Sequence, residues 1–350
     1  MYLFVGTYTM EFPHVAGKSD GIQVYWFDSD NGELRFASKF LDVDNPSYLT
    51  LHPNGRFLYA ATEATSDGGE GLVTAFAIDG NQLTWLNSQP ATGANPCYVS
   101  TNGRFLFTAN YGGGSVAVYP LDENGRLHPA SHHAQHHGHG TNPARQEAPH
   151  AHCVLPTPDG RFLLAVDLGI DQVVAYRLSK NEQLEQVSTI GTSPGSGPRH
   201  LVFHSNGRFA YLLHELTPTL AVYAYEPDGA ILRLLQTVPT IPADYDGENY
   251  GADVHLEPNG RFLYASNRGH DSLATFACDP ATGLLTPLGH TATQGSFPRG
   301  FVIAPNGRFL LAANQNNDNI IVFRLDASSG QLTPIHQTVC ATPVCLKFQP

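Results

Sequence analysis

The chain has 350 residues, with 19 Lys and Arg against 31 Asp and Glu, a formal charge of −12. Polyanion binding works through clustered cations that release counterions, and no basic run occurs here, so nucleic acid and anionic membrane surfaces are excluded as partners. An apolar share of 41% is enough for a hydrophobic core, yet no 18-residue apolar stretch offers a membrane helix.

Residues 2–7 (Tyr-Leu-Phe-Val-Gly-Thr) read as a strand, and no basic leader precedes them. This predicts a cytoplasmic protein. The string Gly-Arg-Phe then recurs at Gly55, Gly103, Gly160, Gly207, Gly260 and Gly307, with spacings of 48, 57, 47, 53 and 47 residues. Each copy carries an alternating apolar segment, an Asn-Gly or Asp-Gly turn and a second apolar segment, which predicts a β-hairpin. A third strand comes next, as at 71–76 and 319–323, and a fourth after a polar Gly turn, as at 283–286. Four short antiparallel strands in about 40–50 residues are a propeller blade.

Six turns predict seven blades. Residues 2–7 resemble the second strand of the repeated hairpin and residues 343–348 the first, so the two ends share a blade and leave no open sheet edge. The expected fold is therefore all-β, one propeller domain over 1–350. No window shows sustained helical periodicity, and Trp26 and Trp85 form no Trp-Asp repeat. Cys97, Cys153, Cys278, Cys340 and Cys345 make no Cys-x-x-Cys pair and read as buried thiols.

Sites are expected where otherwise matching copies diverge. Eight residues before each turn glycine stand Ser47, Asn95, His152, Arg199, Ala252 and Arg299, with Val344 in the closing strand. Eight residues after it stand Glu63, Tyr111, Leu168, Glu215, Arg268 and Gln315, with Tyr8 from the N-terminal strand. Positions equidistant from a hairpin turn lie side by side, so both sets should ring one mouth of the central channel. Guanidiniums focused in a concavity suit a small anion.

The 57-residue spacing contains a His-rich tract at 131–140 and then residues 142–152, ending on Pro-His-Ala-His. His132, His133, His136, His137 and His139 have no acidic or Cys ligand at a defined spacing. We therefore read the segment as a loop over the mouth that brings Arg145, Gln146 and His150 to a substrate, with no metal and no cofactor. The glycines at 112–114 lack the spacing of a dinucleotide loop, and no Gly-x-Ser-x-Gly elbow occurs.

Several ordered segments carry a resemblance that runs over essentially the whole chain. They are Arg145-Gln146 with Pro149-His150-Ala151-His152, Gly197-Pro198-Arg199-His200, His214-Glu215-Leu216, Ser266-Asn267-Arg268-Gly269, Phe297-Pro298-Arg299-Gly300 and Ala313-Asn314-Gln315. In these the sequence resembles the seven-bladed lactonase family of the cycloisomerase-2-like 6-phosphogluconolactonases and the carboxy-cis,cis-muconate cyclases. The resemblance implies that the family's active-site His, Arg, Glu and Arg fall on His152, Arg199, Glu215 and Arg268.

The expected reaction is hydrolysis of an anionic sugar lactone, 6-phosphogluconolactone to 6-phosphogluconate in the pentose phosphate pathway. Glu215 is expected to position or deprotonate water, with His152 as the alternate base and as proton donor to the ring oxygen. Arg199 and Arg268 would meet the oxyanion or the substrate's anionic group, and Arg299 the phosphate. Glu63, Tyr8, Tyr111, Gln315, His150, Arg145 and Gln146 would line the substrate site. A muconate-type cycloisomerase and a non-catalytic binding propeller are the alternatives; hydrolysis would release acid, cyclisation would change ultraviolet absorbance, and a platform would do neither.

Overall fold

The computed structural model describes residues 1–12, 15–63 and 70–349. The described residues hold seven four-stranded antiparallel sheets and one two-stranded hairpin. The first blade runs outward from the channel as Pro46–Leu51, Phe57–Thr62, Leu72–Asp79 and Gln82–Pro90. Five further blades repeat this order, with innermost strands Pro96–Thr101, Ala151–Pro156, Pro198–Phe203, Tyr250–Leu256 and Pro298–Ile303. The seventh is built from both ends of the chain: Pro343–Phe348 is innermost and pairs with Tyr2–Thr7, followed by Ile22–Phe27 and Leu34–Phe40. Neighbouring innermost strands pack together around the whole ring.

The repeated turn explains its own sequence. All six turn glycines have φ between 67° and 87°, a conformation that any Cβ would strain. The Asn or Asp before the glycine accepts the backbone N–H of the next Arg in five turns, and in the turn at Gly260 the Glu257 carboxylate takes that place at 2.8 Å. In all six the Arg guanidinium then lies 5.0–5.5 Å over the ring of the next Phe. The motif therefore serves the blade. Arg261→Ala is expected to cost about 0.5–1 kcal/mol in denaturant unfolding and to leave the kinetics of the mouth unchanged.

Burial lies between the blades. Phe27 of the seventh blade meets Phe309 of the sixth at 5.6 Å and Phe348 at 5.0 Å, inside a cluster that spans the closure. Comparable clusters fill the other blade junctions. All five cysteines are buried and free. No helix among the described residues is long and apolar enough to cross a membrane.

Two elements depart from the sequence expectation. Part of the His tract, His132–Gln135, is the outermost strand of the second blade, paired from Ser115↔Gln135 to Val118↔His132. Only the residues after Gln135 form the loop, because a blade without its fourth strand would leave Ser115–Pro120 as a bare edge. A small hairpin, Glu11–Phe12 with Val15–Ala16, also stands on the rim of the mouth beside Gln315.

Candidate active site

Each innermost strand begins with a register irregularity. It falls at Pro46/Tyr48, Pro96/Tyr98, Ala151/Cys153, Pro198/His200 and Pro298/Gly300, and it spans Gly251/Val254 in the fifth blade. The skipped residues are Ser47, Cys97, His152, Arg199 and Arg299. A bulge re-aims a side chain that would otherwise follow the pleat, and here it supplies the mouth from one blade after another. In the second blade the bulged residue is Cys97, where counting from the turn predicts Asn95. That blade's turn is two residues shorter than the others, so the count overshoots.

Glu215 is the centre of the site. Its backbone is fixed by N–H donation to Gly197 O at 2.7 Å and by acceptance from Gly251 N at 3.2 Å. Arg199 Nε donates to Oε2 at 3.0 Å and Arg268 Nη2 to the same oxygen at 2.8 Å. Arg145 Nη2, from the loop, donates to Oε1 at 2.5 Å, and His152 Nε2 stands 3.9 Å from Oε2. Arg199 also donates to Ala252 O and Arg268 to Gly251 O at 2.9 Å, so both guanidiniums are held by the backbone at the start of the fifth blade as well.

Electrostatics decide the protonation states. Burial alone would raise the Glu215 carboxyl, but the Arg268, Arg199 and Arg145 guanidiniums outweigh it and hold it well below the usual carboxylate range. His152 is held well below its ordinary value by burial and by Arg199, and is therefore neutral. Burial pushes Arg268 down to about 10, which leaves it charged at neutral pH.

A second carboxylate occupies the other side. Tyr8 donates its hydroxyl to Glu63 Oε1 at 2.6 Å, and burial keeps that phenol protonated by raising it well above its ordinary value. Arg299 lies 5.4 Å over the Tyr8 ring with Nη2 3.9 Å from Glu63 Oε1, and it donates no hydrogen bond to any described residue. Arg268 Nε is buried and likewise unpartnered. Unspent guanidinium N–H groups in a concave site await an acceptor.

A family model described as lactonase, 7-bladed beta-propeller matches residues 2–348. The chain belongs to that lactonase family. It is 37% identical over 303 residues to the 6-phosphogluconolactonase of Bacillus subtilis (strain 168), covering 85% of this chain and 84% of that protein. The 6-phosphogluconolactonase of Formosa agariphila is 34% identical over 317 residues, 86% of each chain. Among solved structures, the periplasmic gluconolactonase of Pseudomonas aeruginosa superposes with a TM-score of 0.91 at 38% identity, covering 100% of this chain and 99% of that one.

Within this lactonase scaffold the residues singled out from the sequence separate into groups. His152, Arg199, Glu215, Arg268 and Arg145 converge on one ion cluster, with Tyr111 accepting from Arg145 Nη2 at 3.3 Å. Glu63, Tyr8 and Arg299 form the second group. His150 is wall: its ring stacks on Tyr111 at 4.4 Å, Nδ1 donates to Tyr111 O at 2.9 Å, and its backbone N–H is held by Asp167.

Gln146 does not face the mouth. It is fully buried, donating to Leu168 O at 2.8 Å and accepting from Asn142 N at 3.0 Å, so its amide is consumed in folding the loop. Gln315 is buried at the rim with Oε1 unpartnered, lining a cavity of about 440 Å3 with the small hairpin. His136 is tied to Asp167 at 2.6 Å, and no group of three metal-ligating side chains occurs among the described residues.

Sequence reasoning missed the apolar faces beneath the guanidiniums. Arg268 lies 5.1 Å over Phe297 and 5.9 Å over Tyr250, and Arg145 lies 5.8 Å over Tyr250. It also missed Cys97, whose Sγ is 3.7 Å from His152 Nδ1. For Cys97 the sequence did hold a signal, the shortened second turn. For Phe297 it held none, since the left-handed φ of 64° just before the proline is visible only in the fold.

Proposed function

We propose that the protein hydrolyses the lactone of a phosphorylated sugar acid, 6-phosphogluconolactone, at this mouth. The observation that carries the reading is the charge balance. Among the described residues the carboxylates paired with Arg145, Arg199, Arg268 and Arg299 are Glu63 and Glu215, an excess of two positive charges within that group, and the least committed guanidinium is Arg299. A phosphate monoester is close to a dianion at neutral pH and would balance that excess. The Bacillus and Formosa relatives named 6-phosphogluconolactonase support the same substrate, which would place the reaction in the pentose phosphate pathway.

In this reading the lactone ring lies over Glu215 with its phosphate against Arg299. Arg199 and Arg268, fixed by Glu215, present N–H groups to the carbonyl oxygen as it becomes an oxyanion. His152, neutral, would relay a proton toward the ring oxygen, taking one up on one ring nitrogen as it gives one from the other. Glu215 anchors the arginines, because its two oxygens already accept three guanidinium bonds and its basicity is low. A cytoplasmic location belongs to this reading; five buried unpaired cysteines suit a reducing compartment.

Acid release in a pH-stat, with 6-phosphogluconolactone and glucono-δ-lactone compared, tests it. A higher kcat/KM for the phosphorylated substrate is expected. Arg299→Ala should raise KM for that substrate roughly 10–100-fold, the weight of one charge-assisted contact, with kcat nearly constant, since the phosphate is held equally in ground and transition states. Equal use of both lactones, unaffected by Arg299→Ala, would move the assignment to an unphosphorylated lactone such as the Pseudomonas relative's name indicates.

A further inference from the structure

Hydrolysis needs a basic lone pair facing water, and the ion cluster is poorly suited to supply one. Both oxygens of Glu215 accept guanidinium bonds, at 2.5, 2.8 and 3.0 Å. His152 is flanked by Cys97 Sγ at 3.7 Å and Glu215 Oε2 at 3.9 Å, and burial together with Arg199 lowers its basicity.

Glu63 is less engaged by its neighbours. Among the described residues one guanidinium reaches it, at 3.9 Å, and its carboxylate accepts one hydrogen bond, from Tyr8 to Oε1. Oε2 makes no hydrogen bond to any described residue. The side chain lines a cavity of about 390 Å3 together with Glu70, Thr92 and Asn95. Polar walls and that volume admit several waters, at about 30 Å3 each.

Resting on the lactonase reading above, we propose that Glu63 is the general base that activates the hydrolytic water, with Tyr8 as its positioning residue. The water oxygen bonds to the lactone carbonyl carbon while one of its protons passes to Glu63 Oε2, and the carbonyl π pair moves onto the oxygen facing the arginines. As the tetrahedral intermediate collapses, the bond from carbon to the ring oxygen breaks. Glu63 returns its proton, directly or through His152, to that ring oxygen. Lactone plus water becomes hydroxy acid, and Glu63 is a carboxylate again. Tyr8 spends its one proton on Oε1, so Oε2 is the oxygen that meets water, and Arg299 over the Tyr8 ring keeps the phenol in place.

The test measures lactone hydrolysis by the wild type, Glu63→Gln, Glu63→Ala and Tyr8→Phe, with melting temperatures alongside. Glu63→Gln keeps the shape and the Tyr8 acceptor, and should lose roughly 10²–10⁴ in kcat with KM changed less than about threefold. In Glu63→Ala, added formate or azide should restore part of the lost rate, which no merely structural role predicts. Tyr8→Phe should lower kcat about tenfold and leave KM in place. A Glu63→Gln enzyme that keeps kcat within about threefold, or a Glu63→Ala enzyme that folds but is not rescued, overturns the assignment while leaving the lactonase reading intact. A wild type that hydrolyses no lactone overturns both.

Discussion

Replacing Glu215 with alanine is expected to remove about 3–5 kcal/mol of stability, the usual consequence of leaving buried charges without their partner. The site makes the loss severe, because three guanidiniums converge on this carboxylate and two of them, Arg199 and Arg268, are themselves buried. The same change releases Arg199 and Arg268, the donors proposed to meet the oxyanion, so kcat should fall by roughly 10²–10³ in the folded fraction. Denaturant unfolding and single-substrate kinetics on one preparation measure both. The pH response has a definite sign: the folded carboxyl is depressed, so its contribution is complete above the ordinary carboxylate range and is lost as pH falls through the depressed value. Unchanged midpoint and unchanged kcat in Glu215→Ala would remove the ion cluster from any role.

Deleting residues 340–350 is expected to abolish soluble folded protein. The segment includes the innermost strand of the seventh blade, and its loss removes Val344, Cys345, Leu346 and Phe348, all buried. Four such side chains at about 1.5–3 kcal/mol each amount to most of the roughly 5–15 kcal/mol that holds a native protein together. The deletion also bares Tyr2–Thr7 and opens the contacts of both neighbouring blades with Pro343–Phe348. Expression yield, solubility and a thermal melt of the truncated chain check this. A truncated protein that melts at the wild-type temperature would mean that the ring does not need its closure.

Much of the mouth was legible from the turn outward. Counting eight residues from each turn glycine reaches Ser47, His152, Arg199 and Arg299, all at bulges, and reaches Glu63, Tyr111, Glu215 and Gln315 just past the paired strands. The count works because a hairpin of fixed turn has a fixed register. It fails at Asn95, where the turn is shorter. Gln146 was misread for a different reason: a polar residue in a polar loop can face either the substrate or its own backbone, and only the folded loop shows its amide spent on Leu168 and Asn142.

The sequence by itself determined the repeat, the hairpin and the count of blades, since these rest on contacts within a few residues: a positive φ at glycine, an Asn or Asp closing the turn, an Arg on the next Phe. It also marked which blades carry charge at the mouth. The tertiary structure alone decided what those charges do. Glu215 is clamped because Arg145 descends from a loop 70 residues away and Arg268 arrives from the next blade, while Glu63 meets Tyr8 from the N-terminal segment and its Oε2 makes no hydrogen bond to any described residue. Two glutamates at equivalent positions of the repeat thus differ in their partners. Ion pairing and basicity depend on distances of a few ångströms across the ring, and those distances are fixed by how seven blades close on one another rather than by any local pattern along the chain.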